Sequence, residues 1–190
     1  IGWVVAFAAM HGIALSHDVY WQMWIARQML GGAKLYSDIL EINPPLWFWM
    51  ALPVERFAEA VSLPPTAVMV AAIFLYIGAA LATLSVLLRE RPAGIRAAVL
   101  LAALVAMTFL SMRFFGQREH LALISALPYA TLVGRRRERM PTGTGIALAV
   151  GLVAAMGFAL KHYFVLVPLA LELWLLWRLR RDWRLIRPEL

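Results

Sequence analysis

From Ala67 to Leu88 the chain runs without a charged residue, directly after the helix-breaking pair Pro64-Pro65. As a helix this stretch reaches about 33 Å, against a hydrocarbon core of about 30 Å. Such a run must satisfy its backbone internally and set its side chains against either a large protein core or lipid. Composition favours lipid. Of 190 residues, 63% are hydrophobic and 15% charged, and the mean hydropathy is +0.75. Soluble domains hold about 45–50% apolar and about 25% charged residues. A disordered chain is excluded by the same figures.

The net charge is +7 and the isoelectric point about 10.5. Twelve of the 18 basic residues lie in three clusters: Arg89/Arg91/Arg96, Arg135/Arg136/Arg137/Arg139, and Arg178/Arg180/Arg181/Arg184/Arg187. Short basic runs between apolar stretches are a mark of membrane topology, with the bases on the cytoplasmic side. They argue against nucleic acid as a partner. The absence of cysteine removes disulfides, thiolate metal sites and a cysteine nucleophile.

Clusters on one side of a membrane are separated by an even number of crossings. Ala97–Met112 and Leu121–Gly134 supply two crossings between the first pair of clusters, with the polar stretch Arg113–His120 outside. Gly145–Trp177 is interrupted only by Lys161-His162. As one helix it would hold a lysine at the bilayer centre, so it is expected to fold as a hairpin with Lys161-His162 at its outer tip. Ala67–Leu88 then enters from outside, Ser16–Pro65 becomes a large outer loop, and Ile1–Leu15 is the end of a first outward-going helix. The expected fold is an all-α polytopic membrane protein of about six crossings in one transmembrane domain over residues 1–190. The chain is expected to be a piece of a longer protein. The last three crossings are short, which suggests a recessed outer cavity.

The outer loop, residues 16–65, holds two amphipathic segments. Val19–Leu30 carries Tyr20, Trp21 and Trp24 and stops at Gly31-Gly32, while Leu46–Val61 follows Pro44-Pro45 and carries Trp47, Phe48 and Trp49. Both are expected to be interfacial helices lying along the membrane surface. Six of the eleven acidic residues fall outside: Asp18, Asp38, Glu41, Glu55, Glu59 and Glu119. Glu55 is placed on the solvated side of its helix. Asp18 and Glu119 sit at the outer ends of crossings, beside His17, Arg118 and His120. Ionisable groups at membrane depth are functional candidates. Two carboxylates with nearby cations, Lys161 and His162 among them, suit a transfer from a phosphorylated donor. One carboxylate takes a proton from an acceptor hydroxyl, and cations stabilise the departing phosphate.

His17-Asp18, Gly32-Ala33-Lys34-Leu35-Tyr36-Ser37-Asp38 and Asn43-Pro44-Pro45-Leu46 resemble the first outer loop of the GT-C glycosyltransferases. The resemblance is strongest to the protein O-mannosyltransferases and the transferases that place aminoarabinose on lipid A. Gly116-Gln117-Arg118-Glu119-His120 falls where those enzymes carry a second acidic residue, often Asp rather than Glu. Lys161-His162-Tyr163-Phe164 resembles the next outer tip. The family is longer than this chain, with further membrane helices and often a terminal outer domain.

The resemblance implies a polyprenyl-phosphate-linked sugar as donor and a lipid, glycan or protein acceptor at the outer face of a bacterial inner membrane. Asp18 would be the general base, with inversion at the anomeric carbon. Glu119 would position a substrate or, with Asp18, hold a divalent cation such as magnesium or manganese. Arg118 and Lys161 are candidates for the donor phosphate, with His162, His120, His17 and Tyr20 as further substrate contacts. A transporter fragment or a non-catalytic structural subunit is the competing reading. A transporter should show midplane polar groups or broken helices in repeated halves, and no repeat is visible. No P-loop, His-Glu-x-x-His pair, Gly-x-Ser-x-Gly elbow or dinucleotide-binding fingerprint is present.

Overall fold

Prolines mark where several helices begin, because a helix's first turn does not use the missing N–H. In the computed structural model, which describes residues 15–190, Pro45 precedes one helix, Pro65 opens another, and the Pro92 carbonyl accepts the first bond of a third from Arg96. Seven α-helices and no strand occur among the described residues. They are α1 (His17–Leu30), α2 (Leu46–Ala60), α3 (Pro65–Leu87), α4 (Ala93–Met107), α5 (Arg118–Arg137), α6 (Thr144–Phe158) and α7 (Leu166–Leu179). The expected first crossing, Ile1–Leu15, lies outside the described residues apart from the buried Leu15.

Among the described residues two stretches are long and apolar enough to cross a membrane: Pro65–Leu87, and His162–Asp182, which contains α7. The apolar helices α4 and α6 have 15 residues each, about 22 Å at the helical rise. The apolar run from Gly145 to Trp177 breaks where the lysine-histidine pair stands. α6 ends at Phe158, and a 3₁₀ turn at His162–Val165 leads into α7.

The chain divides into two compact units. The first takes in the described residues up to Leu75 together with Val105–His120. Here α1 and α2 pack side by side, burying Val19, Met23, Ile25 and Ala26 of one against Trp47, Phe48, Ala51 and Ala58 of the other. Two expectations for these helices are corrected. Trp47 and Phe48, expected at the membrane surface, are core residues with at most 1% exposure. Glu55, expected on the solvated side, is 5% exposed and accepts two 3.2 Å hydrogen bonds from Arg27. The reason is periodicity. Positions 47, 48, 51, 55 and 58 form one stripe at helical spacing, and that stripe faces α1. By contrast Tyr20, Trp21, Trp24 and Trp49 are exposed.

The second unit comprises Tyr76–Leu104 and Leu121–Leu190. Its helices approach closely where side chains are small. A methyl group at Gly157 would collide with Ser125, whose hydroxyl also shares a 2.6 Å hydrogen bond with Tyr76. Close small-residue contacts with a hydroxyl bond suit helices that pack in lipid. The three arginine clusters meet at one end of this unit. Arg135 caps α3 through the Leu87 carbonyl at 2.8 Å and pairs with Glu90, whose carboxyl is thereby held below its ordinary range. Arg91 pairs with Glu138, Arg139 with Asp182, and Arg136 with Glu189.

Candidate active site

The loop between α1 and α2 is a folded structure built by its polar residues. Gly32 takes φ +99°, which a side chain resists. The Asp38 carboxylate accepts the Lys34 amide at 2.8 Å, and the Asp38 amide returns a bond to the Lys34 carbonyl. The Tyr36 hydroxyl donates to the Asn43 carbonyl at 2.6 Å. Glu41 gathers four donors: the Ile42 and Asn43 amides, the Asn43 side-chain amide, and the Trp21 indole on α1 at 2.8 Å. Partial burial pushes the Glu41 carboxyl up, but these hydrogen bonds outweigh it and hold the pKa below the ordinary value. Residues that resemble a family motif thus shape the turn before Pro44-Pro45.

Arg118 opens α5 and fastens that loop. Its side chain is 8% exposed, its guanidinium lies 4.4 Å from the centre of the Trp47 ring, and its Nη1 donates to Asn43 Oδ1. Two of the singled-out segments, Asn43-Pro44-Pro45 and Gly116-Gln117-Arg118, are joined by this one side chain. The arrangement is that of a positioning residue.

Gly116 brings the same segment against α1. Its φ is +80°, and a Cβ there would stand 2.8 Å from Ile73 Cδ1 and 3.3 Å from Val19 Cγ2. Asp18 precedes Val19, and Glu119 follows Gly116 by three residues, so the turns bearing the two carboxylates adjoin. Asp18 is half exposed on the first turn of α1, where a helix N-terminus favours a negative charge. His17 is almost fully exposed, with Nδ1 4.0 Å from Asp18 Oδ1. Glu119 and Tyr20 are exposed as well.

His120 has a different place. It is 1% exposed, its Nδ1 accepts the Gly116 amide at 3.0 Å, and its Nε2 lies 2.8 Å from the Met107 carbonyl. Accepting at Nδ1 requires an unprotonated nitrogen there, so Nε2–H donates and the ring is neutral. Burial pushes its pKa down in the same sense, against the pull of the Met107 carbonyl. His120 holds the Gly116 turn rather than facing a ligand.

Lys161 and His162 belong to the second unit. They line a cavity of about 430 Å³ together with Tyr129, Phe158 and Glu189, and the Lys161 ammonium lies 5.3 Å from the Tyr163 ring. Among the described residues no three His, Cys, Asp or Glu side chains converge to hold a metal ion. Reasoning from sequence missed Asn43, Glu41, Trp47 and Gly116 as organisers of the site. The glycine between Phe114-Phe115 and the polar Gln117–His120 was the available signal for the last.

Set against protein families, curated proteins and solved structures, the chain matches none.

Proposed function

We propose that this chain is the catalytic part of a GT-C-type glycosyltransferase, set in a bacterial inner membrane by about six crossings with its site on the outer face. The observation that supports this reading is the junction in the first unit. Val19 packs on Gly116 and Asn43 accepts from Arg118, so the Asp18 and Glu119 turns adjoin. Proximity of this kind is what a two-substrate transfer requires.

The donor is a polyprenyl-phosphate-linked sugar. Asp18 takes the proton of an acceptor hydroxyl, whose oxygen forms a bond to the anomeric carbon as the bond to the phosphate oxygen breaks. Attack opposite the leaving group inverts the configuration. The lipid phosphate departs as an anion, which cationic side chains stabilise. Glu119 orients a substrate at the same opening.

The test is transfer of radiolabelled sugar from a polyprenyl-phosphate donor in membranes holding the full-length protein. Asp18→Asn is expected to lower the rate about 10²–10⁴-fold while helicity is unchanged, and Glu119→Gln to lower it as well. Full turnover by a folded Asp18→Asn protein would remove Asp18 as the base.

A further inference from the structure

We propose that an arginine-lined cavity in the second unit binds the headgroup of an anionic phospholipid. The cavity has a volume of about 550 Å³, and Arg136, Arg139, Arg181, Arg184 and Arg187 line it. It exists because α7 stops sharply. Arg180 takes φ +49°, and the chain after it turns back, which brings the third arginine cluster onto the second.

The charges in the cavity do not balance. Glu189 pairs with Arg136, Glu172 with Arg187, and Asp182 with Arg139. Arg181 and Arg184 meet no carboxylate among the described residues, and both are exposed. Two exposed guanidinium groups without a counter-charge, lining a basic hollow, offer the charge and the hydrogen-bond donors that a phosphodiester accepts.

The surroundings point to a lipid as the source of that phosphate. The cavity lies at the C-terminal end of a stretch apolar enough to span a membrane. Trp177, beside it on α7, is 63% exposed with the Arg178 guanidinium 4.7 Å from its ring, and Ile186 is 94% exposed. Exposed tryptophan and arginine mark the headgroup layer. A neighbouring exposed isoleucine is suited to the upper acyl chain. Basic pockets of this kind between membrane helices recognise anionic headgroups.

The proposal rests on the membrane placement of α7 and not on sugar transfer, so loss of the Asp18 result would leave it standing. The full chain in neutral detergent would be titrated, by native mass spectrometry, with phosphatidylglycerol, phosphatidylcholine and inorganic phosphate. Saturable binding of phosphatidylglycerol is expected, with phosphatidylcholine at least about tenfold weaker. The double substitution Arg181→Gln, Arg184→Gln should weaken phosphatidylglycerol binding about 30-fold, since each basic side chain near an anionic surface contributes about fivefold. Arg184→Gln alone should give about fivefold, and the corresponding lysine pair should retain most of the affinity. Equal binding of the two lipids, or unchanged affinity in the folded Gln variants, would overturn the proposal. Displacement of the lipid by an equal concentration of inorganic phosphate would also overturn it, assigning the site to a free anion.

Discussion

Arg118→Gln should loosen the loop between α1 and α2 without unfolding the helices that flank it. The wild-type side chain places a nearly buried guanidinium 4.4 Å from the Trp47 ring centre and donates to Asn43 Oδ1. A desolvated cation–π contact is worth about 2 kcal/mol and a charged hydrogen bond about 1.5–3 kcal/mol. Against them stands the cost of keeping the guanidinium away from water, sharpened because Arg118 Nε has no hydrogen-bond partner among the described residues. The neutral Gln removes both gain and cost, leaving a net loss of about 2 kcal/mol, or about thirtyfold in the loop-opening equilibrium. The reporters are the Ile42 and Asn43 amides, which donate to Glu41 at 2.7 and 2.9 Å. Their hydrogen exchange tracks local opening and should accelerate by about that factor, while amides in α3 should not change. Arg118→Lys should fall between, since lysine keeps the charge but not the planar stacking group. Unchanged exchange at Ile42 and Asn43 in Arg118→Gln would refute the account of Arg118 as the loop's fastener.

Gly157→Ala should lower the thermal midpoint in detergent, because its methyl group meets Ser125; overpacking costs about 1–3 kcal/mol. Gly78→Ala, with open space around the new methyl, is the control and should be neutral or slightly stabilising. Acid should release the loop through Glu41. Its folded pKa is below its unfolded value near 4.5, so its contribution is present above that pH and is lost as pH falls through the depressed value. Exchange at Ile42 and Asn43 should show this loss, and Glu41→Gln should abolish the pH dependence. Topology can be read from single cysteines in this cysteine-free chain: Arg137→Cys and His162→Cys should label from opposite sides of the membrane. Labelling from one side would defeat the six-crossing arrangement.

Local features determined a good deal of this protein. Proline pairs, glycines and the length of apolar runs lie within a few residues of the helix ends they dictate, which is why α1, α2 and α3 begin and end close to their expected limits. The break at Lys161-His162 was legible for the same reason, since a paired charge inside an apolar run is costly wherever the helix sits. The arginine clusters were expected on one side because short basic runs beside apolar stretches favour the cytoplasmic face, and side chains of all three are linked by ion pairs in the second unit.

What the sequence could not decide is which way a side chain turns once its helix has a partner. Glu55 reads as solvated on polarity alone, yet the rotation of α2 against α1 places it in the packed stripe with Arg27 as its counter-charge. Arg118 reads as an open cation, and only the fold of a loop about seventy-five residues earlier supplies the Asn43 side-chain oxygen and Trp47 ring that hold it. His120 reads as a substrate contact, and its two nitrogens are instead used by Gly116 and Met107. Each of these depends on contacts between residues far apart in the chain. Helix limits follow from local chemistry, whereas the direction of a polar side chain follows from where its hydrogen-bond partners lie after packing.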